Sequence, residues 1–345
     1  MTIYELVTSD AITSYWEEVA GGLPPYLGDE LFPSDKKLGL DLKWIKGSKG
    51  LPIVLKPSAY DSKAVKRPRI GFEKLQASMP FFKESMGIDE ETRQKLNMVM
   101  ETGNQAYIDS VMNKVFDDET QLLRGARAQR ERMKMMALTT GTISIAANGQ
   151  AYDYDYGIPD DHKDTVTTSW SDSDADIYGD IETILDKIET DTGVRPSRGV
   201  VTQKTWGYFR KNKDFRNAIL GNNSAAPVSD NQIKTYLKDN LQIEIIKYTK
   251  KYKDENEQEQ AFVPDDVFVA FPSGQLGTGW FGTTPEESDL MSGNNKAAVS
   301  ITDTGVAVTT TQETDPVSVD TKVTMIFLPS FESANEVFIL DVITE

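Results

Sequence analysis

Residues 89–141 read DEETRQKLNMVMETGNQAYIDSVMNKVFDDETQLLRGARAQRERMKMMALTTG, and the architecture of the chain turns on this stretch. No proline interrupts it. Asp89 can cap a helix N-terminus, and Glu90 and Glu91 put negative charge where the helix dipole favours it. Leu96, Val99, Val111, Val115 and Leu122 recur at helical spacing and give one apolar face. Arg124, Arg127, Arg130, Arg132 and Lys134 are cations suited to a helix C-terminus. Gly141 ends the helix, and Thr142, Ile143, Ser144 and Ile145 begin to alternate as a strand does. About fifty residues is long where roughly 8–20 is usual, so Gly103 and Gly125 are expected to break or bend the element. The other parts of the chain attach to it.

The 345 residues allow roughly two domains and an ample core. Hydrophobic residues make up 39% and charged residues 26%, the balance of an ordinary water-soluble chain. No window approaches the ~18 apolar residues of a membrane span, and MTIYELVTSD lacks the basic and apolar regions of a signal peptide. With no cysteine, disulfides and thiolate zinc sites are excluded. The single histidine, His162 in DYGIPDDHKD, reads as a solvated loop residue. Any histidine relay or multi-histidine metal site would have to run on that one ring.

Net charge is −17, unevenly spread. Lys36 to Lys74 holds eleven basic and three acidic residues, a net +8 that leaves −25 on the remainder. A basic arm on an acidic body suits either a nucleic-acid contact or attraction to another copy of the same body. GLDLKWIK and LPIVLK read as two strands about the turn at residues 47–50, a lysine-lined hairpin marginal by itself and expected to rest on another surface. Upstream, residues 1–35 read as an arm that wraps over something else.

Downstream of Gly141, short strands are expected in TISIAANG, QAYDYDYG and TVTTSW. Asp172, Asp174 and Asp176 invite a calcium-loop reading, but the sixth position is Ile177 and the twelfth Thr183, so the loop fails. Asp176 as N-cap of a helix over 177–190 is the better account. Helices are expected near Lys204–Leu220 and Asp230–Asn240, with strands in LQIEIIKYTK and DVFVAF and a charged hairpin tip in KKYKDENEQEQAFV. VTMIFL and VFILDVI give two final β-rich runs across a turn. Helix and strand without regular β-α-β alternation imply an α+β fold.

No catalytic, cofactor or metal constellation emerges. Residues 277–282, GTGWFG, match the dinucleotide fingerprint, yet TTPEESDLM contains Pro285 and opens no clear helix behind it. Ser34 to Lys37 fits S-x-x-K without a companion motif. The basic hairpin could bind nucleic acid with its lysines on phosphates and Trp44 or Tyr60 stacking, which makes a soluble nucleic-acid-binding protein using residues 36–74 the alternative reading. A body of −25 would repel a polyanion, so lateral contact with an acidic neighbour is the better reading.

The order of parts resembles the major capsid protein of tailed bacteriophages, the lambda-type family with the Hong Kong 97-like fold. Its most specific stretches are LGDELFPSDKKLGLDLKWIKGSKGLP (27–52), QLLRGARAQRERMKMMALTTGTISIA (121–146), the region from Trp170 to Thr202 with TGVRP, and LGTGWFGTTPEE (276–287). The resemblance implies an N-terminal arm (1–35), an extended loop (36–75), a peripheral domain (76–174) with a spine helix at 89–138, an axial domain (175–315) and return strands of the peripheral domain (316–345). It implies no enzyme and no cofactor, but an icosahedral shell of pentamers and hexamers around packaged double-stranded DNA, held without sequence-specific binding or a membrane. Scaffolding, portal and decoration proteins are the implied partners, with assembly in the host cytoplasm and residence in the virion. The expected inter-subunit contacts are Lys36, Lys37, Lys43, Trp44, Lys46, Lys49, Lys56, Lys63, Lys66, Arg67 and Arg69, with Gly103 and Gly125 as hinges. Some relatives weld subunits through a loop lysine and an asparagine; Asn335 is present here, but lambda-type members lack that chemistry.

Overall fold

The computed structural model describes residues 6–46, 73–88, 90–101, 103–221, 226, 228–293, 298–314 and 317–344. The chain begins with helix α1 (Ser9–Gly21), capped by Thr8, whose Oγ1 accepts from the Ala11 N–H at 3.2 Å. A short helix α2 (Leu27–Leu31) and strands β1 (Ser34–Lys36), β2 (Asp41–Lys46), β3 (Glu73–Ser78) and β4 (Phe81–Ile88) come next. The decisive stretch then gives two helices rather than one, α3 (Glu90–Glu101) and α4 (Gln105–Thr140). Gly103 between them has φ +65°, a left-handed conformation that ends a helix and that glycine adopts without a Cβ penalty. Helix α4 runs unbroken through Gly125, so only one of the two glycines interrupts it.

Past Gly141 come β5 (Thr142–Ala147), β6 (Gln150–Asp155) and β7 (Lys163–Thr165), then α5 (Ile177–Thr192), β8 (Arg198–Val201), α6 (Gln203–Lys211), α7 (Lys213–Leu220) and α8 (Asp230–Leu241). The remainder is β9 (Glu244–Lys247), β10 (Lys251–Lys253), β11 (Glu259–Ala261), β12 (Val267–Phe271), β13 (Gly277–Phe281), α9 (Pro285–Ser292), β14 (Ala298–Thr302), β15 (Val306–Thr314), β16 (Val317–Phe331) and β17 (Phe338–Asp341).

Two compact units result, one of residues 1–42, 77–133 and 278–330, the other of 43–76, 134–277 and 331–345. The first is built on a six-stranded sheet ordered β1-β13-β16-β15-β14, with β4 also on β16. Strand β16 is its backbone: Val319 to Ile326 pair antiparallel with Ile88 to Phe81, while Val317 to Met325 pair with Thr314 to Val306. Strand β1 joins β13 in parallel, Ser34 opposite Gly279 and Lys36 opposite Phe281.

The second unit holds a five-stranded sheet, β7-β17-β12-β8-β9, and the hairpins β5–β6 and β10–β11. Helices α5, α6 and α8 cover its core of Trp170, Ile181, Leu185, Trp206, Phe209, Phe215, Leu237 and Phe268. Asp176 caps α5 as expected, Oδ1 accepting from Gly179 N at 2.8 Å, and Gly193 at φ +74° closes it. The expected helix over 204–220 is split by Asn212. This buried side chain accepts from Asp214 N and Phe215 N and donates to the Ala175 carbonyl, starting a new helix. The two C-terminal β runs pair in different sheets, β16 in one unit and β17 in the other. Residues 166–174, which take in most of TVTTSW and the aspartates Asp172 and Asp174, form bends and turns rather than a strand.

Candidate assembly interface

The basic ribbon begins where β1 leaves the six-stranded sheet. Lys37 N donates to the Phe281 carbonyl at 2.8 Å, closing that edge. Gly39, at φ +99°, then turns the chain; its N–H donates to Thr283 Oγ1 and its carbonyl accepts from Thr283 N, each at 3.3 Å. Met79 N returns to the Leu40 carbonyl at 2.8 Å, and Leu42 and Met79 are buried there. From this base β2 pairs with β3, so residues 41–46 have residues 73–78 as a strand partner. LPIVLK itself lies outside the described residues.

Leu38 and Leu40, either side of Gly39, are 75% and 56% exposed. Lys43 on β2 is also exposed. Lys37 and Lys43 have no ion pair among the described residues, whereas Lys36 is bound by Glu287 of the same chain. Glu287 is itself buried on α9, its N–H taken by the capping Thr284 Oγ1 at 3.3 Å. Lys36 therefore spends its charge internally. Trp44 and Lys46 sit on β2; Lys49, Lys56, Lys63, Lys66, Arg67 and Arg69 lie outside the described residues.

The GTGWFG glycines serve packing, not phosphate. They lie on and just after β13, and a Cβ at Gly282 would stand 2.6 Å from Ile326 Cγ2 and 2.9 Å from the Gly39 carbonyl. That close approach seats the ribbon base on the sheet. The spine cations likewise do something the sequence did not suggest. Helix α4 ends at Thr140 with no basic residue in its last turn, too far from Lys134 for a dipole role. Arg130 instead donates to Asp303 Oδ2 at 2.5 Å and lies 5.3 Å over the Phe281 ring. Asp303 also accepts from Trp16 Nε1 at 3.2 Å and has φ +46°, so one carboxylate ties α1 and α4 to the β14–β15 turn. Arg127 stacks on Tyr26 at 4.9 Å and reaches Asp29 at 3.8 Å.

His162 is 2% exposed, which overturns the solvated reading. Its ring stacks on Phe338 at 6.0 Å, with Nε2 3.1 Å from Asp191 Oδ2. Asp161, His162 and Asp191 bring ligand atoms within 4.8 Å of one another. The Lys187 ammonium already lies 2.6 Å from both carboxylates, supplying the cation a metal would otherwise bring. Hydrogen bonds from Lys187 hold both carboxyls below their usual range, His162 adding to the effect at Asp191, and the same bonds raise Lys187.

Residues 8–342 match the phage major capsid protein E family. The chain belongs to that family. No curated protein shows significant similarity to it. Among solved structures, a protein assigned to the capsid of an E. coli CFT073 prophage is 14% identical, with TM-score 0.61 over 98% of this chain and 99% of that one. A phage-related protein of Bordetella bronchiseptica RB50 gives 14% identity, TM-score 0.58 and 97% coverage of both chains. The cyanophage A-1(L) capsid gives 12%, 0.50 and 92% of both. The α+β architecture is thus the Hong Kong 97-like fold of phage capsid proteins. This capsid protein forms shells and resides in the virion; it is a structural protein, not an enzyme. Among the described residues no helix is long and apolar enough to cross a membrane.

Proposed function

We propose that this major capsid protein builds an icosahedral shell of pentamers and hexamers around packaged double-stranded DNA, its basic extended loop lying on the acidic surface of neighbouring copies. The observation that carries the reading is the ribbon base. Leu38 and Leu40 stand out in solvent beside Lys37 and Lys43, which have no ion pair among the described residues. Exposed apolar residues rimmed by charge mark an interaction surface. The rest of the chain carries −25, the sign that attracts the loop and keeps packaged DNA from sticking. Each exposed pair is worth only ~0.2–1 kcal/mol, but the contact is repeated across a closed lattice. Lys37, Lys43, Trp44, Lys46, Lys49, Lys56, Lys63, Lys66, Arg67 and Arg69 form the proposed contact set; Lys36 leaves it for Glu287. Scaffolding, portal and decoration proteins would join the shell in the host cytoplasm, and Gly103 would act as a hinge of the spine.

Reversing charge at Lys43, Lys46 and Lys49 together tests this. Folded, soluble subunits that no longer form particles under the electron microscope are expected. Normal particles from the triple variant would count against lateral docking by the ribbon, and tight salt-sensitive DNA binding by free subunits would favour a nucleic-acid role for it.

A further inference from the structure

Glu119 lies on α4 within the first unit and is 2% exposed. Its Oε2 has no hydrogen-bond partner. The Thr321 hydroxyl of β16, in a fully buried residue, faces it, and Thr321 Oγ1 is unpartnered as well. The charges acting on Glu119 are Asp118 on its own helix and Asp320 on the strand, both negative. Across from Thr321 on the flanking strands stand Met86 and Thr310, neither of them charged. A buried carboxylate so placed has two like charges near it and one oxygen unsatisfied, which is costly. One proton cures both faults. A carboxylic acid can donate to Thr321 Oγ1, satisfying both orphaned oxygens and removing the repulsion.

We propose that Glu119 is a proton-operated clasp between the long helix α4 and strand β16, shut when the acid is protonated and bonded to Thr321, and loosened when it ionises. Burial above all, with Asp118 and Asp320 helping, pushes this carboxyl up to about 7, against the lowering that a Thr321 hydroxyl turned to donate to the ionised form would give. The folded value lies above the unfolded one. Between ordinary carboxylate pH and neutrality the folded chain therefore keeps a proton that the unfolded chain has lost. The clasp's stability is complete at acid pH, declines as pH rises, and is gone above neutrality. Helix and sheet in the first unit thus change grip within the range where cells and media differ, independently of how the ribbon docks.

The test is denaturant unfolding of the full chain from pH 5 to 8.5, with unit-resolved hydrogen exchange corrected for intrinsic rates. Wild type should lose stability between about pH 5 and 7.5, with protection falling in α4 and β16. Glu119→Gln keeps the shape, cannot titrate, and should abolish that fall and exceed wild type at pH 8. Parallel curves for the two proteins would overturn the clasp. Thr321→Val, an isosteric change at a buried hydroxyl, serves where Glu119→Gln does not fold. An inflection moved to lower pH, as loss of the acid's acceptor requires, supports the proposal; one left unmoved, or moved to higher pH as loss of a donor to the carboxylate would give, sinks it.

Discussion

The two units of this capsid protein are finished in different ways. The second closes over an aromatic and aliphatic cluster that gathers Trp170, Trp206, Phe209, Phe215 and Phe268 from helices, turns and sheet. The first has buried aromatics too, Trp16, Phe32, Phe281 and Phe327, but inside it also lie Glu119, Arg130, Glu131 and Glu287. Among the described residues, every large hydrophobic side chain that is exposed, from Leu38 and Leu40 to Leu290 and Met291, belongs to the first unit. Apolar surface left outside and charge brought inside are what a body looks like when its folding is specified by polar anchors and its surface kept for other copies. The second unit shows no exposed large hydrophobic side chain among its described residues, although it too buries charge, at Lys134 and Glu336.

The largest expected effect should fall on the second unit. Trp206→Ala removes a fully buried ring packed at 5.1 Å on Phe209 and deletes its Nε1 bond to Asp230; a loss of ~3–5 kcal/mol is expected from denaturant unfolding. A loss below ~1 kcal/mol would break the contrast, because that unit would then not rest on its aromatic core. Next comes Arg130→Ala, which strands Asp303 and the φ-positive turn; roughly 3 kcal/mol is expected, with hydrogen exchange rising in α1 and the β14–β15 hairpin but not in α5 or α8. Exchange rising evenly in both units would mean they unfold as one.

Gly125→Ala is smaller and of opposite sign. Gly125 is helical with nothing within 4 Å of an added Cβ, so a gain of up to ~1 kcal/mol is expected. If the spine bends there during shell rearrangement, the variant should also form particles that fail to expand; normal expansion leaves Gly103 as the remaining hinge. Lys187→Met should matter least. Asp161 and Asp191, held below their usual values, contribute stability present above their unfolded pKa and lost as pH falls through the lowered folded ones. Removing Lys187 should shift that loss to higher pH, with only a small loss of stability at pH 7 because the network lies at the surface. An unchanged acid limb would show that the network is ornamental to stability.

Elements with local punctuation were legible in the sequence. Asp176 and Gly193 bracket α5, Gly141 ends α4, and the alternation of TISIAANG and QAYDYDYG gives β5 and β6. The features that escaped have non-local causes. Strand β15 is threonine-rich and is a strand because β16 pairs with it over nine residues, and β14 in turn pairs with β15. The acids flanking His162 suggested solvent, but Phe338, far along the chain, supplies the ring that covers it. Arg130 reads in the sequence as one of the cations of a helix end, and only the β14–β15 turn reveals its carboxylate.

The sequence by itself determined the helices with caps, the absence of thiol chemistry, the charge imbalance between ribbon and body, and through its specific stretches the family. Those are properties of neighbours in sequence or of totals, which need no third dimension. Tertiary structure decided which lysine is consumed internally, which strand partners the ribbon, and which carboxyl is buried without a counter-charge. Each depends on residues a hundred or more positions apart, or on pairing between runs that alternate equally well, and burial sets the strength of a charge only once the fold has brought those residues together.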